Sequence, residues 1–306
     1  MGASLIVVAF LAFTRLAAAA DPSAANYEQS VAAWRTEHET WLKAEDGWLT
    51  VVGLAWLKEG VNWVGSAPGS EISLPKSAPS CVGRITVKND RVYFTPERGV
   101  SVALNGKPAR ASYLKPELAS KGDVVSVGSV KFFLIRRENK LAIRIKDNRS
   151  AARLQFAGSR WYPVDSSWRV QATYVPWDKP HPLIFETAVG LKEHNQSPGY
   201  VRFERNGMEY RLEPVIDENE LRFVIRDETS GKTTYSASRF LYADPPKTGL
   251  RTAGPIELDF NRAENPPCVF TDFATCPLPP PQNRMSMAVT AGEQMYVSRP
   301  SNPSSN

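Results

Sequence analysis

Short runs of alternating apolar and polar residues, separated by turn residues, occupy most of this chain. Arg84–Lys88 and Arg91–Thr95 alternate on either side of Asn89-Asp90, which is the pattern of a β-hairpin. Asn-Gly pairs at 105–106 and 206–207 separate further runs of this kind, and Asn-Gly favours the two-residue type I′ turn of a hairpin. Because a strand repeats every two residues and a helix about every 3.6 residues, these runs do not suit helices. The sequence predicts an all-β protein with mainly antiparallel sandwich or barrel regions.

One amphipathic helix is predicted near the N-terminus, over residues 24–44. Apolar residues recur there at steps of three and four, which places them on one helical face. They are Tyr27, Val31, Trp34, His38, Trp41 and Leu42. A single histidine on an apolar face is more often packed and hydrogen-bonded than a ligand, so His38 is not taken as a site residue.

Residues 1–20 have the features of an export signal. Ala3–Phe13 is an apolar run, and Ala18–Ala20 provides a small-residue cleavage site before Asp21. No basic residue precedes the run and Arg15 follows it. The alternative is a membrane anchor, for which the run is short. We expect a cleaved signal peptide, a periplasmic or secreted mature protein and no later transmembrane span.

The cysteines bear on the same question, because an exported protein can form disulfides. Cys268 and Cys276 lie in one proline-rich segment and could close a small ring, whereas two free thiols are the alternative. Their spacing matches no zinc site and no histidine lies nearby. We expect a Cys268–Cys276 disulfide, a buried Cys81, no metal and no cofactor.

The mature chain is expected to have two β-rich parts, which we place at residues 47–150 and 160–297. In the second, Pro176–Pro182 is predicted as a stiff loop and Lys192–Ser197 as a solvated loop. Residues 298–306 are rich in Ser, Pro and Asn and are predicted to be disordered. The net charge of +5 comes from scattered Lys and Arg, so nucleic acid is not an expected partner.

Several landmarks between residues 64 and 128 stand in a familiar order. They are Val64-Gly65-Ser66, Ile72-Ser73-Leu74, Asn105-Gly106 and Gly122–Gly128. This order resembles that of forkhead-associated domains, which are β-sandwiches that bind phosphothreonine. Ser66 stands where that family has an arginine, and its Ser-x-x-His motif is absent around Ser80–Gly83. The resemblance therefore implies a forkhead-associated-like sandwich without the phosphothreonine-binding residues.

A second set of motifs extends through the mature chain. It includes Gly47-Trp48-Leu49, Gly53-Leu54, Arg226-Asp227, Thr229-Ser230-Gly231, Asp259–Ala263, Asn265–Cys268, Cys276–Pro280 and Ala291-Gly292-Glu293. With these motifs, the chain resembles a bacterial family known as domain of unknown function 1684. The resemblance implies a stable architecture and no particular activity.

The proline-rich segment 259–284 carries the predicted site. It combines apolar residues with many polar side chains, which predicts an ordered loop packed on the body of the protein. The candidate ligand-binding residues are Asp259, Asn261, Arg262, Asn265, Asn283 and Glu293. An aspartate beside an arginine can recognise a polyol or a carboxylate. The alternative is that these groups only satisfy the backbone of a loop in which proline removes donors.

Two functions follow from this site. The first is an exported binding or structural envelope protein with a polar pocket at the Asp259–Asn283 loop, whose partner is an unknown small molecule or envelope protein. The alternative is a metal-independent hydrolase that uses carboxylates of the loop, with Asp259 paired to Asp272 or Glu293 across a cleft. A serine hydrolase is disfavoured because Gly-x-Ser-x-Gly is absent.

Overall fold

A computed structural model describes residues 22–117, 122–187 and 189–297. The predicted signal peptide and the predicted disordered tail lie outside these described residues, so both stay predictions. Most of the described chain forms antiparallel β-sheets and one long N-terminal helix, which confirms the predicted fold class. None of the helices in the described ranges is long and apolar enough to cross a membrane.

The N-terminal helix α1 spans Pro22–Lys43, which confirms the helix predicted over residues 24–44. Its apolar stripe buries Val31 and Leu42 completely or nearly so. Trp41 is on the same stripe but remains 51% exposed. The helix therefore covers the β-sheets with one part of its apolar face and leaves an aromatic side chain uncovered at its C-terminal end.

Eleven strands lie in the described part of residues 51–147 and form two facing sheets. Their bounds are β1 Val51–Trp56, β2 Gly60–Gly65, β3 Ile72–Ser73, β4 Gly83–Lys88, β5 Arg91–Pro96, β6 Ala103–Leu104, β7 Lys107–Pro108, β8 Ser112–Tyr113, β9 Val124–Val127, β10 Val130–Arg137 and β11 Lys140–Asp147. One sheet has the order β1-β11-β10-β9-β6-β7 and the other β3-β2-β4-β5-β8. Both sheets contribute fully buried side chains to one core, including Ile85, Phe94, Phe132 and Ile143. This part is a β-sandwich, whereas its specific likeness to forkhead-associated domains stays a prediction.

A short helix α2, Ala151–Gln155, leads to seven further strands. Their bounds are β12 Arg169–Glu186, β13 Lys192–Arg205, β14 Met208–Leu212, β15 Val215–Asp217, β16 Glu220–Ile225, β17 Arg239–Ala243 and β18 Gly254–Asp259. They form a sheet of order β14-β13-β12-β18 and a smaller sheet of order β15-β16-β17. A common core joins them and includes Tyr174, Val201, Leu241 and Leu258, all fully buried.

Two predicted loops of this region are wrong. Pro176–Pro182 belongs to β12 and Lys192–Ser197 belongs to β13, and the two segments pair with each other, His181 opposite Ser197. These parts of β12 and β13 extend beyond the residues that pair with β18 and with β14. Each segment has one neighbour only, and the pairing is irregular between Pro176 and His181. The prolines therefore lie on strand edges and at a bulge, where their missing N–H groups cost little.

The proline-rich segment 259–284 begins at Asp259, the last residue of β18, and then follows the body of the protein as short turns. Three of these are 3-10 turns, at Phe260–Arg262, Pro267–Val269 and Pro281–Asn283. Phe260 is fully buried in the core of the second region. Apolar burial thus fixes the segment against the sheets and places its first turn beside helix α1.

Candidate functional site

Asp259 lies at the end of β18 and connects this strand to helix α1. The Tyr27 hydroxyl donates to its Oδ1 at 2.7 Å, and the Asn261 backbone N–H donates to the same atom at 3.1 Å. Arg262 Nε lies 3.3 Å from Asp259 Oδ2. Burial, followed by the hydrogen bond to Asp259, raises the pKa of Tyr27 above its ordinary value. Tyr27 therefore stays a neutral donor and fixes the position of the helix.

Asn261 is fully buried and its amide is used by the protein itself. Its Nδ2 donates to Tyr27 Oη at 2.9 Å and to the Asp165 carbonyl at 2.8 Å. Its Oδ1 accepts from the Asp165 backbone N–H at 3.0 Å. These contacts join helix α1, the chain at Asp165 and the turn after β18, so Asn261 has a structural role.

Asn283 performs a similar task at a distance from helix α1. Its Oδ1 accepts from the Glu213 backbone N–H at 2.7 Å, and its Nδ2 donates to the Glu213 carbonyl at 2.9 Å. The side chain is fully buried. It closes the end of the proline-rich segment against the chain that follows β14.

Asn265 and Glu293 are bonded to each other behind these groups. The Asn265 backbone N–H donates to Glu293 Oε2 at 2.7 Å, and Asn265 Nδ2 donates to the Gln294 carbonyl at 2.8 Å. Glu293 has no exposed surface. Burial raises its pKa to about 7, although the charge of nearby His38 acts in the opposite direction. Glu293 therefore holds a proton more strongly than an exposed glutamate does.

His38 of helix α1 lies between two glutamates. Its Nδ1 is 3.1 Å from Glu264 Oε2, and its Nε2 is 3.8 Å from Glu293 Oε2. The ring stacks on Trp34, with the ring centroids 5.4 Å apart. Burial lowers the pKa of His38, but the hydrogen bond to Glu264 and the charges of both glutamates outweigh it, so the pKa is raised overall. The prediction that His38 is packed and hydrogen-bonded is confirmed.

A cavity of about 930 Å³ lies in front of these groups, between α1 and the second region. Its walls come from α1, the β15–β16 turn, the end of β17 and β18. Eight of its lining residues are acidic, against two arginines. The acidic residues are Glu37, Asp217, Glu218, Glu220, Asp244, Glu257, Asp259 and Glu264. We call this cavity the acidic cleft.

Four of these carboxylates have cationic partners within 3.3 Å. The pairs are Glu257 with Arg169, Asp217 with Arg222, Asp259 with Arg262 and Glu264 with His38. The other four have no ion-pair partner among the described residues and are exposed at the rim. These are Glu37, Glu218, Glu220 and Asp244. Burial and then the charge of Asp244 raise the pKa of Glu220, so the rim carries unrelieved negative charge.

Aromatic side chains of α1 form the apolar part of the acidic cleft. Trp34 and Trp41 both line it, and Trp41 is more than half exposed. An exposed indole face attracts a cation placed within about 6 Å of its centre. The cleft thus combines negative charge with aromatic faces, which are the two elements that recognise organic cations.

The structure divides the six predicted site residues into three groups. Asp259 and Arg262 line the acidic cleft, while Asn261, Asn265 and Glu293 lie behind its wall. Asn283 does not line the cleft. As for the hydrolase alternative, Asp259 and Glu293 do not face each other across the cleft, because Glu293 is buried under His38.

Sequence reasoning missed the two walls that complete the cleft. One is helix α1, whose tryptophans at positions 34 and 41 lie seven residues apart and so share a face. The other is the turn Asp217–Glu220, an acidic cluster between two apolar runs. Both signals are visible in the sequence, but nothing local connects them to Asp259.

The fold and site define an all-β protein with an acidic, aromatic cleft closed by an N-terminal helix. Residues 154–294 match the model of the family described as protein of unknown function (DUF1684), so this region of the chain is similar to that family. The predicted resemblance is confirmed over this span; its extension to the rest of the mature chain and the bacterial origin stay predictions.

One solved structure with a similar sequence is the solution NMR structure of an uncharacterized protein from Haloarcula marismortui, from gene locus rrnAC0354. The two sequences are 32% identical, and the match covers 46% of this chain and 78% of that chain, with a TM-score of 0.40. No match to a curated protein was found.

Proposed function

We propose that this protein is an exported ligand-binding protein, and that its acidic cleft binds an organic cation with more than one positive charge. The observation that carries the proposal is a cavity of about 930 Å³ lined by four carboxylates that have no ion-pair partner among the described residues. This volume is in the range of small-molecule sites. Export rests on the sequence of residues 1–20 alone.

Charge is the first support. The whole chain has a net charge of +5, yet the cleft concentrates eight carboxylates against two arginines. Like charges held close together destabilise the ionised state of each other. A bound cation relieves this repulsion, and a cleft of one sign raises the local concentration of the opposite charge.

The distribution of the carboxylates indicates the kind of cation. Within the described ranges, no group of three or more His, Cys, Asp or Glu residues is close enough to hold one metal ion. Glu37 comes from helix α1, Glu220 from β16 and Asp244 from the end of β17. Charges spread over three elements fit a ligand whose positive charges are themselves spread along a chain, such as a polyamine.

Isothermal titration calorimetry with spermidine tests this proposal. The variant Glu220→Gln/Asp244→Asn removes two rim charges, and we expect it to weaken binding about tenfold or more, since each lost charge-assisted contact is worth about 1 kcal/mol or more. Glu204→Gln is the matched control, because Glu204 is exposed on β13 and does not line the cleft. Binding should also weaken as salt is raised.

Three results would contradict the proposal. One is that spermidine does not bind, and another is that glycerol and spermidine bind alike. The third is that the Glu204→Gln control loses as much affinity as the double variant. Equal loss from one charge removed outside the cleft would mean that the two rim carboxylates do not hold spermidine in the acidic cleft.

A second candidate function, hydrolysis without a metal, is favoured by one observation. Glu264 of the proline-rich segment lines the cleft and is 3.1 Å from His38 Nδ1. A carboxylate in this position orients an imidazole and supports it as a general base. The test is hydrolysis of p-nitrophenyl esters by the wild type and by His38→Asn. Loss of hydrolysis in the variant would support this function. Equal rates in the wild type and the variant would exclude catalysis by His38 with Glu264.

A further inference from the structure

A second cavity, of about 420 Å³, adjoins the acidic cleft and has a different chemistry. It lies where the sandwich meets the second region, and its lining includes Arg144 of β11. We propose that this cavity, the arginine chamber, binds the carboxylate group of an apolar molecule and that Arg144 holds the carboxylate. This site adjoins the one in the proposed function, with Asp217 and Glu264 in both linings, and takes a ligand of opposite charge.

Arg144 is the observation that points to a ligand. The residue is 4% exposed, yet its Nε and Nη2 have no hydrogen-bond partner in the described part of the protein. These two donors form one side edge of the guanidinium group, which binds both oxygens of a carboxylate at once. A buried, charged donor without a partner is costly. Arg144 therefore offers this edge to an anion in the chamber.

The surroundings of Arg144 keep this edge in place. Its guanidinium carbon lies over the ring of Trp48, 5.0 Å from the ring centroid. This is a cation–π contact, and Nε and Nη2 have no hydrogen-bond partner among the described residues. Burial and the nearby charge of Arg137 lower the pKa of Arg144 to about 10. Arg144 is still charged at neutral pH, and an anion would offset its repulsion with Arg137.

Arg137 provides a second positive group at the chamber. Its Nε donates to Thr275 Oγ1 at 3.3 Å, and its Nη1 donates to the Arg136 carbonyl at 3.0 Å. These bonds keep its charge beside the chamber and occupy its Nε and Nη1. Arg137 therefore attracts the anion through its charge, whereas Arg144 donates the hydrogen bonds to it.

The apolar walls of the arginine chamber indicate what kind of molecule carries the carboxylate. Leu42, Trp48, Phe240 and Phe270 line the chamber and present apolar surface. This surface suits an aliphatic or aromatic body rather than a sugar or a second charged group.

Carboxylates at the same walls select a singly charged anion. Asp217 and Glu264 also line the chamber, although each is paired with a cationic side chain. Glu193 is partly buried there, and its burial raises its pKa. A doubly charged phosphate would be repelled more strongly by these groups than a monocarboxylate. The charges and the walls together favour a monocarboxylate with an apolar body.

The test uses hexanoate as the probe, with hexanol and inorganic phosphate for comparison, in a buffer without carboxylate or phosphate. Arg144→Met replaces the guanidinium with an apolar side chain of similar length. Replacing a buried charge in this way is often neutral or stabilising. Arg136→Met is the matched control. Arg136 lies next to Arg137 on β10, does not line the chamber, and pairs with the exposed Asp90.

We expect hexanoate to bind the wild-type protein and the Arg136→Met control alike. Arg144→Met should lose about tenfold or more in affinity, since hydrogen bonds to a charged group contribute to that extent. Its melting temperature without ligand should equal or exceed that of the wild type. Arg144→Lys, which keeps the charge and loses the two-donor edge, should bind with intermediate affinity.

Five outcomes would overturn the proposal. If phosphate binds more tightly than hexanoate, the chamber does not select a carboxylate. If hexanol binds as tightly as hexanoate, contacts with the apolar walls account for all of the binding. Hexanoate affinity unchanged in Arg144→Met, or absent in the wild type, would remove Arg144 as the binding group. A large fall in the melting temperature of Arg144→Met would make Arg144 a structural residue. Spermidine binding, measured on the same variants, reports on the acidic cleft separately.

Discussion

The buried ion pair between Arg239 and Asp227 allows a quantitative test of how the second region is held together. Arg239 Nη2 lies 2.8 Å from Asp227 Oδ2, and both side chains are 1% exposed. Arg239 also donates to the backbone carbonyls of Val289 and Ala291, and Asp227 Oδ1 accepts from the Val289 backbone N–H at 3.2 Å. The pair thus fixes the last segment of the described chain, which carries Glu293.

We predict that Asp227→Asn and Arg239→Met each lower the free energy of unfolding by about 3–5 kcal/mol, the cost of leaving one charge buried without its partner. The double variant buries neither charge. Its loss should therefore be smaller than the sum of the two single losses, by about 0.5–3 kcal/mol or more. The magnitude follows from the burial of both groups, because an exposed pair contributes only about 0–1 kcal/mol.

Urea denaturation followed by tryptophan fluorescence measures these losses from the midpoint and slope of the transition. Arg211→Met is the control, since Arg211 pairs with Glu209 on the surface at 2.9 Å. Single-variant losses no larger than that of the control, or strictly additive losses in the double variant, would refute this reasoning.

Three further predictions concern the buried Glu293, the two cysteines of the proline-rich segment and the contact of Asn261 with helix α1. The folded state holds the Glu293 proton at a pKa of about 7 instead of the ordinary 4.5, so its contribution to stability is present at low pH and is lost as the pH rises through 7. Glu293→Gln should therefore gain, relative to the wild type, up to about 3 kcal/mol between pH 5 and pH 8 in urea denaturation; an unchanged difference would disprove this. Cys268 and Cys276 each accept a hydrogen bond at sulfur from the other's backbone N–H, at 3.2 Å or less. Oxidation should join them and add about 2.5 kcal/mol, and peptide mapping that finds both thiols alkylated without reductant would contradict it. Asn261→Ala should cost about 2–3 kcal/mol, because it leaves buried backbone groups unpaired, and should speed proteolytic cleavage of α1; an unchanged cleavage rate would count against the contact.

The hairpins and the N-terminal helix could be predicted from the sequence because their signals are local. In the β4–β5 hairpin, Lys88 pairs with Arg91 around Asn89-Asp90, and both turn residues have positive φ. The apolar stripe of α1 follows from the spacing of its own residues. In each case the residues that carry the pattern are also neighbours in the structure.

The predicted loops in β12 and β13 show where local signals fail. Proline normally interrupts a strand because it cannot donate to a neighbour. In β12, the segment around Pro176 has no neighbour on one side, so the missing donor is not needed. Whether a strand has one neighbour or two depends on the lengths of the strands beside it, which the segment itself does not encode.

The candidate site could be predicted only in part, for a related reason. The sequence singled out Asp259 and Arg262 through their motif, but the partner of Asp259 is Tyr27, 232 positions away. The acidic cleft exists because α1, the Asp217–Glu220 turn and the end of β17 pack around β18. The sequence by itself determined the strands, the helix and the polar residues at one strand end, since these depend on the residue pattern within each segment. Only the tertiary structure decided which of those polar groups bond to each other and which face the open cleft. The reason is that their neighbours come from distant segments, which burial of the common core brings together.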